Sequence, residues 1–150
     1  MSNMKPSNPK DMVGCRKVPF SVLPTPVLVE AALGMFEGAL KYGRHNYRAV
    51  GVRGSIYYDA TLRHLTEWWE GEDIDPASQI NHIGKAISSL MVLRDSMMRG
   101  NWTDDRPPAT LGLYAEANAQ ASALVDMHAD KNPKHYTQLN INEEEPNVES

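Results

Sequence analysis

Apolar residues recur at helical spacing through most of this chain, and no stretch of convincing length alternates as a strand would. That property confines the fold class to all-α. From Val27 to Tyr42, Leu28, Ala32, Met35 and Ala39 share one side, and Gly43 stops the run. A second helix is expected from Tyr58 to Glu70 on Tyr58, Leu62, Leu65 and Trp69, ending at Gly71. A third is expected to begin after Pro76 with Ser78 as its cap, and to reach about Met98 on Ile80, Ile83, Ile87, Leu90 and Arg94. The segment Asp104 to Pro108 ends it. A fourth, Ala-rich segment from Leu111 to Met127 has good helix propensity and a thin stripe of Leu113, Ala117 and Leu124, which suits a peripheral helix or an oligomer contact.

Residues 1–26 hold five prolines and no sustained periodicity, so they read as an extended N-terminal arm whose Val18, Phe20, Val22 and Leu23 lie across a neighbouring surface. Residues 27–127 form the helical domain. Residues 128–150 read as a disordered tail with a solvated acidic run at Glu143 to Glu145. A chain of 150 residues with 41% apolar content is one domain with a modest core. Trp68, Trp69, Tyr42, Tyr47, Tyr57 and Tyr58 are expected mainly in that core, one or two of them stacking on a base.

A net charge of -4 argues against a duplex nucleic-acid partner, which normally meets a basic face, but leaves small anionic ligands open. Cys15 stands alone, which excludes a disulfide framework and a thiolate metal cluster. The start Met1 to Lys5 lacks an apolar signal segment, and no run approaches the roughly 18 apolar residues that span a bilayer. A cytoplasmic setting without membrane or nucleic-acid partners is expected. The phosphate-cradling, dinucleotide and nucleophile-elbow glycine motifs are all missing.

What sets the chain apart is the block from Glu37 to His82, dense in acids, bases and histidines. Mg²⁺ or Mn²⁺ takes oxygen ligands while also touching substrate phosphates, so carboxylates converging from several helices make a site. Glu37 projects from the first helix, Glu72-x-x-Asp75 flanks the break before the third, and Glu67-x-x-Glu70 lies on the second. Asp59, Arg63, Glu67 and Glu70 share one helical stripe and read equally as surface ion pairs. Lys41, Arg44, Arg48, Arg53, Arg63 and Lys85 are the cations for phosphate, and Asn46 reaches a base edge or a phosphate oxygen. His64 and His82 read as structural or substrate-orienting residues ahead of metal ligands, since no His-x-x-x-His or Cys-x-x-Cys pair argues for zinc.

At these residues the chain resembles the phage and bacterial dATP/dGTP diphosphohydrolases, a MazG-like branch of the all-α nucleoside triphosphate pyrophosphohydrolases, and within it the MazZ proteins of phages whose DNA contains 2-aminoadenine. The resemblance is carried by Asn8 to Asp11, Lys17-Val18-Pro19, Leu33 to Arg48, Tyr57 to Ala60, Arg63-His64-Leu65, Trp68 to Pro76, His82 and Asp104 to Pro108. It implies a four-helix MazG-like bundle, oligomeric, that hydrolyses a purine nucleoside triphosphate to the monophosphate and pyrophosphate with Mg²⁺ or Mn²⁺. The preferred substrate would be dGTP or GTP, then dATP. This chain departs in offering His82-x-x-Lys85 on the third helix where such enzymes carry acids.

The combined reading assigns Glu37, Glu70, Glu72 and Asp75 as catalytic metal ligands for two or more ions. It assigns Lys41, Asn46, Arg48, Arg63, His64, His82 and Lys85 to the substrate. The alternative is a non-catalytic helical nucleotide-binding or assembly module in which the same acids are surface pairs. A dimer or tetramer is expected, because few helices bury limited surface.

Overall fold

The computed structural model describes residues 8–144, and of residues 142–144 the backbone alone. Residues 1–7 of the arm and 145–150 of the tail, with Glu145 of the acidic run, lie outside the described residues. The element order is α1 (Pro9–Gly14), a 3-10 turn (Phe20–Val22), α2 (Thr25–Tyr42), α3 (Asn46–Val50), β1 (Val52–Arg53), α4 (Gly54–Trp69), α5 (His82–Met98), β2 (Trp102–Thr103), α6 (Leu113–Met127) and α7 (Gln138–Glu144). The all-α expectation holds apart from one two-stranded parallel pair, in which Val52 lies opposite Trp102 and Arg53 opposite Thr103.

The chain divides into two compact units, Met1–Pro107 and Pro108–Ser150. In the first, α5 packs against both α4 and α2. The fourth helix expected in the bundle, α6, belongs to the second unit, as does α7, which occupies part of the stretch expected to be disordered. The arm is not extended throughout. Asn8 caps α1, its side chain accepting from the Lys10 amide, and Pro9 fits the first helical turn.

The α2–α5 contact is built from small residues. Ser88 Oγ donates to Ala31 O and shares itself with Gly84 O, both at 2.8 Å. A Cβ on Gly34 would collide with that hydroxyl, so glycine lets the two backbones approach. One turn beyond Gly34, Glu37 is thereby set beside Lys85 of α5.

Helix α4 starts at Gly54, a turn earlier than the apolar pattern indicated, because a residue far along the chain caps it. Asp105 accepts from the Ser55 amide at 2.8 Å and from the Ser55 hydroxyl. The short α3 is tied to α5 by Arg48, whose guanidinium grips both oxygens of Asp95 at 2.8 and 3.0 Å.

The third helix begins later than expected. Its first residue is His82, and its cap is Asn81, whose side chain accepts from the Gly84 amide at 2.6 Å. Residues 72–81 instead make a tight loop: Asp75 N donates to Ile80 O, His82 N donates to Asp73 O, and Gln79 takes a left-handed φ of 59° that no helix accommodates. Ser78, the expected cap, gives its hydroxyl proton to Asp75 Oδ2 at 2.9 Å.

The core is small. Among the described residues the buried apolar side chains are Ala31, Val52, Ala86 and Val92. The expected apolar stripe of α4 is not covered: Tyr58, Leu62, Leu65 and Trp69 are all exposed, Trp69 by 75%. Tyr42 and Trp68 are exposed too, while Tyr47 and Tyr57 are half-buried. Three packed helices present too little opposing surface to cover both sides of α2 and α4.

Candidate active site

A cavity of about 550 Å³ opens beside α2, α4 and α5. Glu37, Lys41, Asn46, His64 and Lys85 from the expected site are among its lining residues, with Met35, Tyr57, Met91 and Val92 supplying apolar wall. Its charged side is organised by Lys85. The Nζ of Lys85 is 3.1 Å from Glu37 Oε2, 2.5 Å from Asp75 Oδ2 and 3.1 Å from Ser78 Oγ. Lys41 Nζ donates to the other oxygen of Glu37 at 2.6 Å. Glu37 therefore bridges two ammonium groups, one at 14% exposure and one at 53%.

The electrostatics follow from this packing. Burial pushes the Glu37 carboxyl up, but the hydrogen bonds and charges of Lys41 and Lys85 outweigh it and its pKa falls. Asp75 lies well below the usual carboxylate range, chiefly through the Lys85 hydrogen bond, against burial and with help from Ala77 N–H and Ser78. Burial lowers the Lys85 pKa, yet its bonds to Asp75 and Glu37 raise it overall. Lys85 is a fixed cation at neutral pH.

Deeper, His82 is fully buried at 1% exposure. Its Nε2 is 2.8 Å from Glu72 Oε1, and its Nδ1 faces His64 Nδ1 at 2.9 Å and Glu67 Oε2 at 3.5 Å. Burial lowers the His64 pKa, and the Lys85 charge lowers it further, so this ring is neutral at pH 7.

The four expected metal ligands do not converge. Glu37 and Asp75 are neighbours, but the Lys85 ammonium lies between them where a cation would sit. Glu72 holds His82, and Glu70 is an exposed residue at the C-terminal end of α4. A different donor set fits a divalent ion: His64, Glu67 and His82 offer ligand atoms all within 4.8 Å of one another. Of the expected phosphate cations, Lys41, Arg44 and Lys85 reach the cavity. Arg48 is engaged with Asp95, and Arg63 lies by a separate shallow depression with Asp59 and Glu67.

Glu67 and Glu70 read from the sequence as a carboxylate pair or as surface ion pairs, and the assigned ligands keep Glu70 but leave out Glu67 on the same stripe. The available signal was His64-x-x-Glu67, a spacing that puts an imidazole and a carboxylate on one helical face. Arg44 and His45 also line the cavity, His45 in a left-handed turn with φ of 60° that opens α3.

No curated protein and no solved structure matches the chain significantly. The family model of the dATP/dGTP diphosphohydrolase N-terminal domain matches residues 7–106 and so takes in every residue of the cavity and of the His64–His82 group. By that match, which spans two thirds of its length, the chain belongs to the dATP/dGTP diphosphohydrolase family.

Proposed function

We propose that the protein hydrolyses purine nucleoside and deoxynucleoside triphosphates to the monophosphate and pyrophosphate in a reaction dependent on a divalent metal, Mg²⁺ or Mn²⁺, with dGTP or GTP preferred over dATP. The observation that carries this reading is the cavity whose lining sets the lysine pair, Lys41 and Lys85, on either side of Glu37. A triphosphate entering it competes with Glu37 for both ammonium groups. Lys85, anchored from behind by Asp75, stays in place as a fixed phosphate contact. Lys41, exposed and held among the described residues by Glu37, swings to follow the chain of phosphates.

The apolar wall of Met35, Tyr57, Met91 and Val92 excludes water and gives the base a surface to lie against. Asn46, with both a donor and an acceptor, is the cavity residue suited to the mixed edge of guanine. His82, expected at the substrate, lies behind His64 and acts on that ring instead. When bound, the divalent ion would supply charge neutralisation on the phosphates and a water of lowered pKa.

Self-association is part of the reading. The exposed Leu33, Phe36, Leu40, Leu62 and Trp69 of α2 and α4 suit burial against a second copy, which would enlarge a core too small to stand alone. No described helix is long and apolar enough to cross a membrane, consistent with work in the cytoplasm, the host's if the gene is viral. In a phage whose DNA carries 2-aminoadenine, the purine monophosphate released would feed synthesis of that nucleotide.

The test is to incubate the full chain with each deoxynucleoside triphosphate and Mn²⁺ and to separate products by anion exchange. Monophosphate plus pyrophosphate, fastest with dGTP, supports the proposal. Nucleoside plus tripolyphosphate, a pyrimidine preference, or binding without turnover overturns it.

A further inference from the structure

We infer that His64 Nδ1, His82 Nδ1 and Glu67 Oε2 form a binding site for a divalent transition metal of the manganese, iron or cobalt class, with Glu72 as the residue that orients His82. This inference does not depend on the hydrolytic reading, since it concerns which ion the chain holds rather than what it does to a nucleotide.

The orientation of His82 comes first. Its Nε2 meets the Glu72 carboxylate at 2.8 Å, and a carboxylate accepts, so Nε2 carries the proton. The Nδ1 lone pair is then turned inward, toward His64 and Glu67. A carboxylate on the far nitrogen of a buried imidazole is the arrangement that fixes tautomer and raises basicity in metal-binding histidines.

His64 and Glu67 reach the same point because they lie three residues apart on one face of α4. Without metal, the His64 Nδ1 proton fills the gap between the two rings. On binding, that proton moves to His64 Nε2 and the ion takes its place, so no net charge need leave the protein.

Ligand type and spacing select the ion. Two imidazole nitrogens and one carboxylate oxygen are softer than the all-oxygen shell that Mg²⁺ prefers. With metal–nitrogen bonds of about 2.1 Å, nitrogens 2.9 Å apart subtend roughly a right angle at the ion, as adjacent positions of an octahedron do. A tetrahedral ion such as zinc would want them about 3.4 Å apart at the same bond length. The Lys85 ammonium, one turn beyond His82, opposes a cation, but its charge is matched by Asp75 and Glu37. Glu67 is 54% exposed, so the site is open on one side and keeps coordination positions for water.

The experiment titrates the chelator-treated full chain with CoCl₂ in the absence of any nucleotide, following visible absorption and heat. The expected result is one Co²⁺ per chain with the weak bands of a six-coordinate, nitrogen-ligated ion, and no displacement by Mg²⁺ at tenfold excess. Both His64→Ala and Glu67→Gln should weaken binding tenfold or more while circular dichroism stays unchanged. These side chains are half-buried and exposed, so the test does not hinge on a variant of buried His82 folding. Glu72→Gln should weaken binding between tenfold and a hundredfold. Failure to bind Co²⁺ at millimolar concentration, or an affinity within tenfold of the parent in either His64→Ala or Glu67→Gln, overturns the assignment.

Discussion

The Nζ of Lys85 lies 2.5 Å from Asp75 Oδ2, joining the first turn of α5 to the loop that precedes it. The loop folds back so that Asp75, ten residues earlier in the chain, meets Lys85 with its second oxygen already engaged by the Ala77 amide at 3.0 Å. Asp75→Asn keeps the shape and removes the charge, leaving the ammonium with the Glu37 carboxylate and the neutral Ser78 hydroxyl. A loss of about 1.5–3 kcal/mol is expected, the range for hydrogen bonds to charged groups, read as a shift in the urea midpoint without a change in slope. Turnover should fall as well, because Lys85 is then free to follow Glu37. Unaltered stability would mean that the contact is cosmetic.

Acid should expose the same contact. The Asp75 carboxyl titrates below its ordinary value in the folded protein, first because of the Lys85 hydrogen bond. A depressed folded pKa contributes stability that is present above the unfolded carboxylate value and is lost as pH falls through the folded one. Stability should therefore hold from pH 7 down to 5 and decline below about pH 4. Asp75→Asn should remove part of that decline, and parallel urea titrations of both proteins between pH 2 and pH 7 measure it.

Gly34 separates α2 from Ser88 at the crossing that brings Glu37 to Lys85. Gly34→Ala forces the Ser88 hydroxyl off its bonds to Ala31 and Gly84 or pushes the helices apart. Overpacking of this kind costs about 1–3 kcal/mol. A rise in KM should accompany the loss, since the lysine pair widens with the helices. Thermal denaturation and steady-state kinetics on the one variant check both.

Arg48 offers a contrast. Its fork is spent on Asp95, so Arg48→Lys should lower the melting temperature slightly and leave KM for the triphosphate as it was. A marked KM increase would return Arg48 to the phosphate-binding set.

Light scattering at micromolar concentration should give a mass of at least two chains. Trp69→Glu and Leu40→Glu, both placing charge on the exposed apolar surface of α4 and α2, should shift that mass toward one chain.

The helices of the first unit were legible where periodicity and punctuation agreed. Gly43 and Gly71, with φ of 92° and 107°, end α2 and follow α4 as their positions indicated. That Glu37 and Lys41 meet on α2 follows from the sequence as well, since residues one turn apart must share a face. The strands were not, because two residues are too few to alternate. The start of α5 was misread because Gln79 in a left-handed conformation and Asp75 bonding its own loop are choices no propensity announces. The burial of aromatics was overestimated for a physical reason: an apolar stripe says that a face wants covering, not that the same chain covers it. His64 and His82 are 18 residues apart on different helices, and spacing rules within one helix are blind to such a pair.

The cap that Asp105 places on the first turn of α4 spans 50 residues of sequence. As the chain emerges during synthesis, α4 and α5 are both available before the residue that caps α4 is. The start of α4 must wait, its amides bonded to water, until the strand Trp102–Thr103 has paired with Val52–Arg53 and carried Asp105 into place. A growing chain stalled short of Asp105 would hold two helices in contact with the lower-numbered end of one still fraying, and closure of the unit is timed to its last few residues.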